Sequence, residues 1–257
     1  MIYRRVEGAY EDHVLLIHGL GEHSGRYWGF IEKAIMEKIS VYAFDLPGHG
    51  KSSGIRGHAP LKKTLKIVDE IARSLPKPPV IFGHSLGGLI AARYVENGGR
   101  ASMLILSSPA FSYDKEEVTP GLVKLAKFLA AIVPFLPMDN RIDPEKLSRN
   151  KETVEKYVRD PLVHRKISVA LARDFFLESE IAIKEAEKIE VPTLLLIGGA
   201  DKVTPPEGAK RFFENLRVKD KELIEYPGAY HEIFEDPEYS SKLYENIFRF
   251  IKSYLRR

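Results

Sequence analysis

One stretch of ten residues, VIFGHSLGGL at positions 80–89, constrains the fold of this chain more than any other. Three apolar residues that suit a buried strand lead into the motif GHSLG, and the small and apolar residues after it suit a helix. A serine raised above the end of a parallel sheet has to sit on a very sharp turn, where flanking side chains would collide with neighbouring backbone. Gly83 and Gly87 meet that requirement, so the stretch predicts a βα unit that presents Ser85 at a sheet edge.

The turn around Ser85 also suggests a chemical role for this serine. The first N–H groups of the following helix point toward it, and the backbone N–H of Leu86 becomes available to a developing oxyanion. The stretch therefore indicates a nucleophile elbow, with Ser85 as the candidate nucleophile. The alternative is a glycine-rich turn that holds an ordinary serine.

The composition of the chain excludes several other classes of protein and of catalytic site. The chain has 257 residues, of which 44% are hydrophobic, so we expect a single α/β domain over 1–257 that carries an insertion. The net charge of +3 is spread over 39 basic and 36 acidic residues, which does not predict nucleic-acid binding. The absence of cysteine excludes disulfides, cysteine-liganded metals and a thiol nucleophile, and leaves serine as the covalent catalyst.

The N-terminal segment and the hydropathy of the chain bear on its location. The start MIYRRVEGAY lacks the apolar run of a signal peptide, and no stretch approaches the ~20 apolar residues that span a bilayer. We therefore expect a soluble, cytoplasmic protein. Many Lys and Glu residues without any Cys are also typical of a thermophile.

Strand and helix patterns alternate along the rest of the chain, apart from one long interruption. Apolar strands are followed by amphipathic helices, and this repetition predicts a parallel sheet covered by helices on both faces. The first two strands are separated by EGAYED, which predicts a hairpin connection. The predicted strands are 2–6, 13–17, 41–44, 80–82, 103–106, 193–197 and 222–226, and the predicted helices are 30–38, 61–75, 119–133, 206–216 and 238–255.

The interruption lies between strands 103–106 and 193–197. It is about 80 residues long, far beyond the dozen or so that a simple crossover needs, and so predicts an inserted segment over 110–190. Within it, the helix TPGLVKLAKFLAAIV carries Lys124 and Lys127 but has too little polar surface for an ordinary exposed helix. This helix either packs on the core or forms a lid over an apolar acyl pocket, with contact to a lipid interface.

An acid and a histidine are needed to activate a serine. A histidine takes the proton of the hydroxyl, and a carboxylate holds that imidazole in the right tautomer. In a sheet of this kind the order along the chain is Ser, acid, His. Of the eight histidines only His231 follows the last predicted strand, and Asp201 follows a buried strand whereas Asp220 and Asp236 do not. The alternatives are a turn aspartate at Asp201 and a surface histidine at His231.

A second oxyanion donor is predicted in the loop HGLG at positions 18–21. Two glycines directly after a buried strand allow the backbone to turn back over the sheet edge, which aims the N–H of Leu20 at Ser85. The four residues by themselves are equally compatible with a flexible surface loop.

Several segments together resemble the monoacylglycerol lipase and lysophospholipase branch of the α/β-hydrolases, and the resemblance covers nearly the whole chain. They are HGLGEHSGRY, GHSLGG, LSRNKETVEKYVRDPL, GGADKVTP and GAYHE. The resemblance implies the α/β-hydrolase fold with an inserted helical lid; with the family's first strand missing from the short N-terminus, about seven strands are expected. It also implies Ser85, Asp201 and His231 as the triad, and the backbone N–H groups of Leu20 and Leu86 as the oxyanion hole.

The resemblance further implies a substrate and the residues that bind it. We expect an ester hydrolase that cleaves monoacylglycerols, or else lysophospholipids, through an acyl-enzyme and without a metal or cofactor. In related lipases the positions that match Glu22, Arg26 and Tyr157 lie near the glycerol end of the pocket. One departure is Phe234, which stands where the mammalian enzyme has a second histidine near the glycerol.

Other functions use the same scaffold. A serine aminopeptidase or a generic carboxylesterase would use the same triad, because the triad specifies acyl transfer but not the acyl group. An aminopeptidase would need acidic groups that grip a free amine, and Glu22 alone does not decide this. A non-catalytic binding module is expected to have lost a member of the triad, and all three are present.

Overall fold

The computed structural model describes residues 1–113 and 118–255, which form an α/β fold around a seven-stranded sheet. The strands are β1 (Arg4–Glu7), β2 (His13–Ile17), β3 (Ser40–Phe44), β4 (Val80–His84), β5 (Met103–Ser107), β6 (Pro137–Asp139), β7 (Lys166–Ser168), β8 (Thr193–Gly198) and β9 (Lys221–Tyr226), and the helices are α1 (Trp28–Met36), α2 (Leu61–Ser74), α3 (Leu86–Glu96), α4 (Pro120–Leu129), α5 (Lys151–Arg159), α6 (Val169–Glu185), α7 (Pro206–Asn215) and α8 (Ser240–Leu255). The main sheet has the order β1-β3-β2-β4-β5-β8-β9, and β6 pairs with β7 in a separate ladder. The seven-stranded, mostly parallel sheet predicted from the sequence is confirmed.

Alternate side chains of a buried strand pack on opposite faces of this sheet. In β2, Leu15 and Ile17 face a hydrophobic layer formed with α2, α3, α6 and α7, whereas Val14 and Leu16 face a layer formed with α1 and α8. All four side chains are fully buried. A strand reaches that burial only when helices cover both faces of its sheet, which explains why its sequence is continuously apolar.

The hairpin predicted between the first two strands is wrong. β1 pairs antiparallel with β3, so that Arg4 lies opposite Phe44, whereas β2 lies between β3 and β4 and is parallel to both. The reason is burial: β2 is apolar on both faces and takes a central position, while β1 is rich in charged side chains that an edge strand leaves in solvent.

The segment between β5 and β8, where the sequence predicts an insertion, holds α4, β6, α5, β7 and α6. α6 packs on α3 and α7 and thus belongs to the body of the fold, whereas α4 packs on α6. A group of large apolar side chains on α4 and just after it, here called the cap patch, is exposed: Leu125, Phe128, Ile132, Phe135 and Leu136. Residues 114–117 of the predicted lid lie outside the described residues, and its lid role stays a prediction.

No helix in the described ranges combines the length and the apolar character that crossing a bilayer requires.

Candidate active site

The turn between β4 and α3 presents Ser85 in a strained conformation. Its backbone has φ 53° and ψ −120°, a region that non-glycine residues rarely adopt. A Cβ on Gly83 would lie 2.3 Å from the carbonyl oxygen of Gly87, and one on Gly87 would lie 2.1 Å from that of Ile17. The two glycines are therefore required by the close approach of backbone to backbone, as the sequence predicts.

Asp201 follows β8 and His231 follows β9, so both lie at the carboxyl edge that carries Ser85. Asp201 Oδ2 and His231 Nδ1 are 2.8 Å apart, and both side chains are buried. Burial lowers the pKa of His231, but the Asp201 carboxylate more than offsets this and holds it above its ordinary value. His84 lies beside this ring, at 4.8 Å between centroids; its own burial, with the neighbouring His231, lowers its pKa to about 3. The Asp201 carboxylate thus holds the His231 ring in place next to a neutral imidazole.

The predicted oxyanion donors, Leu20 and Leu86, line the same cavity as Ser85. Within residues 1–113 and 118–255, neither backbone N–H donates a hydrogen bond, so both are available to a ligand. The Glu22 side chain stabilises the loop that carries Leu20, because the N–H of Gly19 donates to Glu22 Oε1 at 2.6 Å. Unpaired N–H groups beside a strained serine are the arrangement that stabilises a developing oxyanion.

Glu22, Arg26 and Tyr157 lie together around a fourth residue, Glu232, in a group here called the Arg26 cluster. Arg26 Nη1 lies 2.9 Å from Glu22 Oε2 and 2.6 Å from Glu232 Oε1, and its Nη2 lies 2.8 Å from Glu232 Oε2. The guanidinium stacks 4.7 Å from the Tyr157 ring centroid. Burial raises the pKa of Glu22, but Arg26 more than offsets it and keeps the carboxylate ionised.

None of the three predicted glycerol-binding residues is among those that line the active-site cavity. The Arg26 cluster instead connects two loops: Glu22 belongs to the loop that carries Leu20, and Glu232 is adjacent to His231. Glycerol binding by Glu22, Arg26 and Tyr157 therefore stays a prediction. Sequence reasoning missed Glu232, and its only signal was an acidic residue directly after the candidate histidine.

The active-site cavity has a volume of about 270 Å³ and is mainly apolar. Leu122, Leu125 and Ala126 of α4 line it from the inserted segment, and Phe175 and Phe176 of α6 line it from the body. Charged and amide side chains also line it: Asp139, Asn140, Arg141, Asp143, Lys146 and Lys202. Such a cavity suits a ligand with an apolar chain and a polar end.

Comparison with known proteins places the chain in a family. Residues 8–238 match the Hydrolase_4 family, described as serine aminopeptidase, S33. A monoacylglycerol lipase of Mycolicibacterium smegmatis is 34% identical over 235 residues, 88% of this chain and 82% of that protein. The phospholipase YtpA of Bacillus subtilis is 32% identical over 234 residues, 88% of this chain and 89% of that protein.

A solved structure is similar over nearly its full length. The crystal structure of Paleococcus ferrophilus monoacylglycerol lipase has a TM-score of 0.96 and 47% sequence identity, with 99% of each chain covered. The chain therefore belongs to the Hydrolase_4 family, in the monoacylglycerol lipase branch of the α/β-hydrolase superfamily.

Proposed function

We propose that this protein is a serine ester hydrolase that cleaves monoacylglycerols to a fatty acid and glycerol through an acyl-enzyme. The observation that carries the proposal is the setting of Ser85. The strained Ser85 lines an apolar cavity together with Leu20 and Leu86, whose backbone N–H groups have no acceptor among the described residues. The same sheet edge also holds the Asp201–His231 pair. The similarity to monoacylglycerol lipases at 34% and 47% identity supports the substrate class.

The catalytic cycle follows from these positions. His231, held by Asp201, takes the proton of Ser85 as the hydroxyl oxygen attacks the ester carbonyl. The oxyanion accepts the N–H groups of Leu20 and Leu86, and each such donor contributes roughly 3–4 kcal/mol. His231 then returns the proton to the leaving glycerol oxygen, and a water molecule activated by the same imidazole releases the fatty acid.

The apolar wall of the cavity is proposed to hold the acyl chain. Each methylene that leaves water for such a wall contributes about 0.8 kcal/mol, so kcat/KM should rise with acyl length until the cavity ends. Triacylglycerols should be poor substrates, because two further chains have to fit at the polar end.

The glycerol end is proposed to lie toward the Arg26 cluster. The carboxylates of Glu22 and Glu232 are already paired with the guanidinium, but in the described part of the chain the hydroxyl of Tyr157 has no hydrogen-bond partner. Tyr157 is therefore the member best able to contact a glycerol hydroxyl. The pairing also argues against an aminopeptidase, since an acidic group already neutralised by Arg26 is a poor acceptor for a substrate ammonium.

The cap patch is proposed to contact a lipid interface. Its apolar side chains are exposed next to Lys124 and Lys127, which are exposed as well. Apolar groups flanked by lysines favour insertion at the boundary of headgroups and acyl chains. Since α4 also lines the active-site cavity, a lipid surface at this place would deliver substrate close to Ser85.

Lysophospholipids are the second candidate substrates. The basic residues Arg141, Lys146 and Lys202 line the cavity together with two aspartates, and a phosphate group would be attracted to the basic side chains. The similarity to a protein named as a phospholipase supports the same alternative.

A substrate screen tests the proposal. Monoacylglycerols of graded chain length, matched lysophosphatidylcholines, triacylglycerols and aminoacyl amides with a free amine are compared by kcat/KM. We expect the monoacylglycerols to lead and their kcat/KM to rise with chain length. Faster cleavage of aminoacyl amides than of every monoacylglycerol would replace the lipase by an aminopeptidase.

A further inference from the structure

Two hydroxyl side chains join the loops that carry Asp201 and His231. Thr204 Oγ1 lies 2.9 Å from Asp201 Oδ2, 3.1 Å from His231 Nδ1 and 3.1 Å from the carbonyl oxygen of Ser108. The hydroxyl of Ser108 in turn donates to the carbonyl oxygen of His231 at 2.8 Å. These four residues form a closed ring of polar contacts between the loops that follow β5, β8 and β9.

The direction in which the Thr204 hydroxyl donates its single proton determines which group of this ring it stabilises. A hydroxyl can donate to only one of its neighbours, and a carboxylate is a stronger acceptor than a neutral carbonyl. The hydroxyl therefore donates to Asp201 Oδ2, the oxygen that also receives Nδ1–H of His231. Because Oδ1 accepts the backbone N–H groups of Val203 and Thr204, both oxygens of the carboxylate are fixed in direction.

Ser108 is built into this arrangement at a conformational cost. It is buried and has φ 42°, in the left-handed region where a non-glycine residue is strained by the order of 1 kcal/mol. Its N–H donates to the carbonyl oxygen of Leu196 at 2.8 Å, which holds that conformation. The result is that the carbonyl of Ser108 faces Thr204 while its hydroxyl faces the backbone of His231.

We propose that Thr204 is a positioning residue that orients the Asp201 carboxylate onto His231 and reduces its negative charge. The inference rests on the proposed triad and deepens it. A hydrogen-bond donor to Asp201 Oδ2 reduces the negative charge with which the carboxylate stabilises the His231 imidazolium. Without the Thr204 hydroxyl, the carboxylate is oriented less precisely toward His231 but is more basic.

The other groups that act on His231 come from separate elements, and substitution of Thr204 leaves these side chains themselves unaltered. His84 lies beside its ring at 4.8 Å, and the charges of Glu232 and Glu22, which both pair with Arg26, raise the pKa of His231. A change in the titration of His231 on substitution of Thr204 therefore reports on the missing hydroxyl.

Thr204→Val tests the role, since valine keeps nearly the same volume in the cavity lining and lacks only the hydroxyl. With a chromogenic ester, kcat should fall about tenfold while KM stays unchanged, as for one lost hydrogen bond at the reacting centre. The acid limb of the kcat/KM profile should move up by about half a pH unit, because the freed carboxylate favours the imidazolium. The Nδ1 proton of His231 should shift downfield in the NMR spectrum.

Thr204→Ser is the matched control, because it restores the hydroxyl, and it should recover both the wild-type acid limb and the wild-type resonance. Thr204→Ala serves as a second hydroxyl-free variant and should shift the acid limb in the same direction as Thr204→Val. An unmoved acid limb in both hydroxyl-free variants, or a serine variant that behaves like them, overturns the role of Thr204. Labelling of Ser85 by a fluorophosphonate separates this outcome from failure of the triad, since an unlabelled Ser85 in the wild-type protein overturns the triad itself.

Discussion

Replacing Arg26 by methionine should destabilise the protein strongly, because it removes a cation that Glu22 and Glu232 both contact. The three side chains are nearly buried, with exposures of 9% for Arg26, 4% for Glu22 and 3% for Glu232. Methionine fills much of the volume but leaves two carboxylates in a site shielded from water. Removing one partner of a buried ion pair costs about 3–5 kcal/mol, mostly from the charge left behind.

This loss converts into a measurable shift of the melting temperature. For a domain of this size 1 kcal/mol corresponds to roughly 2–4 °C, so Tm of Arg26→Met should fall by about 6–20 °C in scanning calorimetry. The deficit should be smaller at pH 5 than at pH 8. A carboxyl without its cation has a folded pKa above its unfolded value, so its penalty grows as pH rises through that range.

Two further variants identify the cause. Adding Glu232→Gln to Arg26→Met should recover part of the lost Tm, since one uncompensated charge disappears. Arg73→Met removes an exposed ion pair with Asp69 and should leave Tm near the wild-type value. An Arg26→Met protein that melts at the wild-type temperature, or shows no recovery on adding Glu232→Gln, would refute the reasoning.

Three other predictions concern pH, substrate and lipid binding. Burial raises the pKa of Glu96 to about 7 despite its ion pair with Arg93. The free energy of unfolding of the wild-type protein, measured by urea titration, should therefore fall relative to that of Glu96→Gln by roughly 2–3 kcal/mol between pH 5 and pH 8. Parallel stability curves for the two proteins would contradict this. Tyr157→Phe should lower kcat/KM for monoacylglycerols more than for a small chromogenic ester, because only the former has a hydroxyl to lose; equal losses would remove Tyr157 from the glycerol site. Phe128→Ser combined with Phe135→Ser should weaken cosedimentation with lipid vesicles while sparing turnover of a soluble ester, and unchanged binding would exclude the cap patch as the contact surface.

Much of the fold was predictable because its main signal is local. The apolar run of β2 gave the predicted bounds 13–17, and the apolar β8 was predicted within one residue of its end. The partner of β1 was not predictable in the same way, because pairing with β3 depends on which strand occupies the centre of the sheet. A burial argument applied to the charged residues of β1 would have favoured an edge position over a hairpin.

In the candidate site, too, the residues with a local sequence signal were predictable and the contacts that depend on the fold were not. Position relative to the strands was enough to select Ser85, Asp201 and His231, and the fold brings the last two within a hydrogen bond of each other. The Arg26 cluster could not be predicted, since Glu22 and Glu232 lie at opposite ends of the chain and meet only through the folded sheet. Thr204 was visible as a hydroxyl three residues after the acid, but its partner Ser108 was not, because that contact also depends on the fold.

The central claim, that Ser85 is the nucleophile of an acyl-transfer reaction, is tested most directly by covalent labelling. The wild-type protein is treated with a fluorophosphonate, and the modified peptide is identified by mass spectrometry, alongside Ser85→Ala and His231→Ala. We predict one label, on Ser85, no label in Ser85→Ala, and a loss of turnover of about four orders of magnitude or more in either variant. A label on another serine, or robust ester hydrolysis by Ser85→Ala, would contradict the account.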